Sequence, residues 1–481
     1  GRARQKRVRV YPFSIIIVLI LLVLLIRDWH RGIKQYFKHV FYLYVSVVLF
    51  SNIGNFIEIG SFTLTNRAFL SVFTFLIAAL VIVFDKGYDV KIMFAGIGLY
   101  LSVVIGYFML VVFPYKYGVI RLLSQWDGYV AGNIGLDYLT SISFDFEAIF
   151  KIVHLPIVLA VAYRVLAERQ EKRHFLELLL RISNFVLLYS IAELIVVKVF
   201  SIPINAHVLR PIFGESEATF VYTNRLQGLF KEASHYASAL FIWGLLNIFE
   251  ICSLRKSGKT AKRSKDTIRF ILIMILLVAS TSFVGLFYFG LLLVAYLFYC
   301  TRLNNVGIVA CLGVIGIPLL FIVTNASFMG AIGLDSLYQR IDRAIETINR
   351  LFHGEVGTVS SEGARFTSIF SMLQILIKRP LFGVGAGITD AHSTLFATLG
   401  NLGLIGTGFL AYIYIRFGRV SNHKLSLYVI VCLYLSFAGS FGAAFDFQYP
   451  LMFLFAGYAF EKEKEICAEQ DRQMVCEKLL V

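Results

Sequence analysis

The residues of this chain whose types and spacing can do chemistry fall in two stretches. In the longer one, Glu362 to Gly406, Arg365 opens a segment with apolar residues at Phe366, Ile369, Phe370, Leu373 and Leu376, the stripe of one helix face. Lys378 and Arg379 lie in its last turn and Pro380 stops it, so Arg379 reads as a helix C-terminal cap or interface anchor. Gly383-Val384-Gly385-Ala386-Gly387 supplies a flexible turn, followed by Asp390, His392 and a second apolar helix. In the other stretch, Arg225, Gly228, Lys231 and Glu232 lead into another apolar segment. Cations, a tunable base and a glycine hinge at the mouth of a membrane span suit a substrate that is anionic and amphiphilic.

The guanidinium fork binds phosphate oxygens bidentately and stays charged near lipid. Arg225 and Arg365 take that role for the lipid pyrophosphate that the family resemblance given below implies, with Lys231 beside them. An imidazole or a carboxylate can take a proton from a hydroxyl near neutral pH. His392 is the first candidate for that base and Glu232 the rival. Asp390 joins the binding group, as a residue that orients His392 or closes the turn before it. No metal or cofactor is expected, because cationic side chains can neutralise an anionic leaving group. Cys252, Cys300, Cys311, Cys432, Cys467 and Cys476 have neither metal-ligand spacing nor the pattern of a disulfide framework.

These residues need a scaffold, and composition says which. Hydrophobic residues make up 58% of 481 and charged residues 16%, against the roughly 25% with which a soluble domain covers itself. Several apolar runs approach the ~20 residues needed to cross a bilayer. The expected fold is all-α, a polytopic transmembrane helical bundle of about 12–13 spans with amphipathic helices in one long extracytoplasmic loop. The net charge of +15 does not imply nucleic acid, because Lys and Arg cluster in short loops as the positive-inside rule requires.

Spans are expected at roughly 11–26, 39–57, 66–84, 91–113, 149–167, 175–200, 233–251, 269–284, 286–300, 306–324, 395–416, 425–445 and 447–460. The loop 252–269 carries seven basic residues against one acid and is therefore assigned to the cytoplasm. Counting outward from it puts 114–148, 201–232 and 325–394 on the far side, so both chemical stretches share one face. The organisation reads as a bundle over 1–324 with an outer loop near 201–232, an extracytoplasmic segment 325–394, terminal spans over 395–460 and a cytoplasmic tail 461–481. The N-terminus resists this scheme: thirteen spans leave five Lys and Arg of residues 1–10 outside. Within 325–394, Asp335 and Ser336 can cap an amphipathic helix through Arg350 that ends at Gly354. The break Ser280-Thr281-Ser282-Phe283-Val284-Gly285 reads as a turn between two helices.

Pro380-Leu381-Phe382-Gly383-Val384-Gly385, followed by His392 and by Gly403 and Gly406, resembles the signature of the O-antigen polymerase and O-antigen ligase superfamily. Ser393 stands where that family usually has Asn, and Asn401 where it has an acid. Arg225 through Glu232 is similar to a run of the polysaccharide polymerases, with Ala233 where Pro is usual. The resemblance implies a glycosyltransferase in the bacterial cytoplasmic membrane with its active site on the outer face. Its donor would be a glycan on undecaprenyl pyrophosphate. A second lipid-linked repeat unit would be the acceptor for a polymerase, and the lipid A core for a ligase. Membrane lipids and a chain-length regulator protein are the further partners implied. A transporter or lipid flippase, with discontinuous helices and a repeat between halves, is the rival from another class.

Overall fold

The structure is a computed structural model. It describes residues 8–48, 54–59, 62–113, 146–200, 226–230, 233–256, 260–280, 282–300, 372–386 and 393–419, with isolated positions elsewhere. Ten long helices run through these residues: α1 (Pro12–Asp28), α2 (Ile33–Val48), α3 (Asn66–Asp85), α4 (Val90–Val112), α5 (Phe146–Leu166), α6 (Arg169–Phe200), α7 (Ala233–Lys256), α8 (Thr260–Ala279), α9 (Phe283–Cys300) and α10 (Thr394–Gly418). Six of the described helices are long and apolar enough to cross a membrane: Pro12–Arg31, Asn66–Asp85, Val90–Val112, Ile149–Leu166, Gln170–Val196 and Thr394–Gly418. By length and composition this is a multi-pass α-helical membrane protein. The expected spans at 306–324, 425–445 and 447–460, the helix after Asp335 and the tail 461–481 lie outside the described residues, save isolated positions.

One expectation is corrected. The run 39–57 is not one helix: α2 ends at Val48, and Asn55–Ile59 is a strand, β2. It pairs antiparallel with β1 (Val8–Val10) and with β3 (Phe62–Thr65), so the helical fold carries a small sheet. The alternating Phe56, Glu58 and Thr63, Thr65 residues suit a strand pair, and hydropathy averaged over the run hides that period. Thr65 caps α3 through the Ala68 amide at 3.1 Å, and the Ser14 hydroxyl of α1 lies 3.1 Å from the side-chain oxygen of Asn66. Val8–Val10 thus sits at the end of the bundle where α3 begins, and α1 runs the bundle's length from there.

α5 lies at the centre of the first helix group, with α3 on one side and α4 on the other. Its Pro156 meets Gly96 of α4 so closely that a Cβ there would lie 2.4 Å from the proline ring. α10 packs antiparallel on α4, from Gly406 against Ser102 to Arg416 with Asp89, and the turn before α10 continues the contact where Tyr107 meets Ala386. α7, α8 and α9 form a second group, with Phe241 stacked on Tyr288 at 4.5 Å and Arg269 tying Asn184 of α6, Asn247 of α7 and Asp266 of α8. Ser280 and Ser282 make the expected turn between α8 and α9, where Gly285 lets the backbone of Leu277 approach.

Candidate functional site

The glycine-rich run before His392 and the glycines after it meet in one structure. α10 is broken at Gly403, whose φ of 63° and ψ of −172° no helix contains. A straight helix would pair the amides of Leu404 and Ile405 with the carbonyls of Gly400 and Asn401. The turn 380–385 enters the break and takes over both sides of those bonds. Val384 and Gly385 donate to Gly400 and Asn401 at 3.2 and 2.9 Å, while Leu404 and Ile405 donate to Pro380 and Leu381 at 2.7 and 3.0 Å. The two amides and two carbonyls that the break releases are thus all paired, as irregular backbone within an apolar helix requires.

The glycines are required by contact as well as by torsion. A Cβ on Gly403 would lie 2.4 Å from the carbonyl of Leu381, and one on Gly383, at φ +62°, 2.4 Å from the oxygen of Gly400. α4 closes the outer side of the turn. The Tyr107 hydroxyl donates to the Ala386 carbonyl, and Gly106 admits the Phe382 oxygen. Arg379 donates to the carbonyl of Phe113, the C-cap residue of α4, and so ties the end of its own helix to α4.

The second stretch is held differently. Residues 226–230 form a buried turn in which Gly228 has φ +59°. The carboxylate of Glu193, 1% exposed on α6, accepts the amide of Gln227 at 3.2 Å and that of Gly228 at 2.7 Å. From the other side, the ring of Tyr236 on α7 fills the space a Cβ of Gly228 would need. Phe230 continues this packing against Tyr236 and Trp243. Alternation of the helices puts this turn, the turn 380–386 and the β-sheet at one end of the bundle.

Arg225, Lys231, Glu232, Arg365, Asp390 and His392 lie outside the described residues. What the structure supplies is their attachment. Arg225 adjoins Leu226 of the Glu193-bound turn, Lys231 follows its last residue, and Glu232 precedes α7. His392 adjoins Ser393, the buried N-cap residue of α10, at a helix N-terminus that favours negative charge. The ion pair of Asp89 with Arg416, at 2.9 Å, and the hydrogen bond of His39 with the buried Asp28, at 2.6 Å, belong to the opposite end. Among the described residues no group of three or more His, Cys, Asp or Glu could hold a metal ion. Sequence reasoning missed Glu193. Its one available signal was a carboxylate inside an apolar span, a costly placement that usually marks a role. No protein-family model matches the chain, and no curated protein matches it in sequence.

Proposed function

We propose that the chain is a membrane glycosyltransferase that polymerises repeat units carried on a lipid pyrophosphate, of the kind the O-antigen polymerases act on. The observation that carries this reading is the interlock of Pro380–Gly385 with the break at Gly403. Two motifs that resemble one family's signature are bonded to each other through four main-chain contacts, with His392 on the segment between them. An acceptor hydroxyl attacks the anomeric carbon of the donor. Its proton passes to His392, or to Glu232 if that is the base, while the bond from the anomeric carbon to the pyrophosphate oxygen breaks. Arg225 and Arg365 offset the charge that develops on the departing lipid pyrophosphate, with Lys231 beside them. Asp390 orients the imidazole. A ligase would use the same step with a lipid A core as acceptor; the Arg225–Glu232 run leans towards the polymerase.

One observation favours a second reading. A helix broken at mid-length is a device of transporters, which place substrate at such breaks. A single experiment separates the two. Purified protein is incubated with lipid-linked oligosaccharide and no energy source, and product length is read on a gel. Polymer is the expected result, and general-base assistance of about 10²–10⁴-fold means that His392→Ala nearly abolishes it. Movement of intact donor across a vesicle membrane without polymer would replace the enzyme by the transporter. Ordinary turnover by His392→Ala beside a dead Glu232→Gln would move the base to Glu232.

A further inference from the structure

We propose that Glu193 is a positioning residue for the donor-binding stretch, holding the 226–230 turn that lies between Arg225 and Lys231 in the chain; this rests on the glycosyltransferase reading above. Glu193 lies in the apolar span Gln170–Val196 and is 1% exposed. Both of its carboxylate oxygens are used: Oε1 takes the Gln227 amide at 3.2 Å and Oε2 the Gly228 amide at 2.7 Å. Successive amides can converge on one anion because Gly228 is left-handed, the geometry of a backbone nest. Tyr236, fully buried, blocks the turn from the far side, and Ser190, one turn before Glu193, lies against Gly228 as well. The turn is thus held between α6 and α7.

A tie of this kind is costly if its only purpose is to close a loop. The turn 380–385 is joined to the helix it enters through four main-chain bonds, none of them to a charged side chain. A carboxylate accepting two amides forms stronger, more directional bonds than neutral partners do. That stiffness matters where a guanidinium must meet phosphate oxygens bidentately, since a misplacement of about 1 Å can cost 10²-fold in rate. Arg225 stands two residues before Gln227 and Lys231 three residues after Gly228, so the clamp fixes the chain between the two cations.

The test uses the full chain in lipid nanodiscs, with Glu193→Gln and Glu193→Asp. Glutamine keeps the volume but turns an amide group towards one of the two N–H donors. Hydrogen exchange of the Gln227 and Gly228 amides is expected to quicken roughly ten- to a hundredfold in Glu193→Gln, the equivalent of charged hydrogen bonds lost. The KM for lipid-linked donor is expected to rise about tenfold or more with kcat less affected, and Glu193→Asp to restore part of both. If Glu193→Gln is not recovered folded, Glu193→Asp carries both readouts as a smaller shift. Unchanged exchange overturns the tether, and faster exchange at parental donor KM overturns its role in positioning. Absence of turnover by the unmodified protein overturns the glycosyltransferase reading, and the donor assignment with it, while exchange still decides the tether.

Discussion

Two turns at one end of this bundle carry the residues singled out for chemistry, and they are secured by opposite means. The turn 380–385 is bound to α10 through main-chain groups, four of them released by the break in α10 at Gly403. The turn 226–230 is bound by one side chain, the Glu193 carboxylate, which reaches it from a neighbouring helix. Both turns need a glycine without a side chain, Gly403 against one and Gly228 in the other, but the second also needs a carboxylate. Removal of a side-chain acceptor is therefore harmful at the second turn and has no counterpart among the four bonds of the first.

The largest effect is expected at Gly403. Alanine there pays about 1–2 kcal/mol for a left-handed backbone and meets Leu381 at 2.4 Å, which expels the turn and leaves buried main-chain groups unpaired. A loss of more than about 4 kcal/mol follows, read as a collapse of the thermal transition in detergent micelles. A parental melting curve would show that the break is not held by the interlock. Next comes Glu193→Ala, which strips two buried amides of a charged acceptor and is expected to cost about 2–3 kcal/mol. Hydrogen exchange sharpens the comparison. Glu193→Ala should free the amides of Gln227 and Gly228 and leave those of Val384 and Gly385 protected; loss of protection at both turns would mean that they form one unit.

Smaller effects grade the first turn. Tyr107→Phe removes the phenol that donates to Ala386 but leaves the four main-chain bonds, so it is expected to cost about 1 kcal/mol. A cost like that of Gly403→Ala would make the tyrosine, not the backbone, the true fastening. The smallest effect has the opposite sign. Gly408 lies on the same helix with open space where its Cβ would be, so Gly408→Ala is expected to stabilise by about 0.5 kcal/mol through helix propensity. A large loss there would mean that every glycine of α10 is needed, whatever its contacts.

The sequence made the first turn partly legible. Gly383, Gly385 and Gly403 stand out because glycine is spent where no side chain fits, and Pro380 marks where the preceding helix ends. That the run before His392 enters a gap in the helix after it was not readable, since spacing along a chain does not reveal which carbonyls lose their amides. The helices at 66–85, 90–112 and 394–418 were legible within a few residues because a long apolar run in lipid has few alternatives to a helix. The run 39–57 was misread because an apolar average does not separate the period of a helix from that of Asn55–Ile59 as a strand. Glu193 was opaque for another reason. A single acid among apolar residues declares a cost without naming the partners that meet it, and Gln227 and Gly228 are 34 and 35 positions away.

The pairing of α4 with α10 also sets a schedule. Tyr107 and Ala386 are 279 residues apart, and Asp89 and Arg416 are 327 apart. At translation rates of about 5–20 residues per second, α4 waits on the order of 15–60 s for the helix it is shaped to meet. During that interval Gly98 and Gly106 face no Phe409 or Phe382, and Asp89 has no Arg416. A nascent chain stopped before residue 394 can carry nine of the ten long helices and still hold no interlocked turn. The interlocked end of the bundle is a late product of synthesis, finished only as the ribosome completes α10.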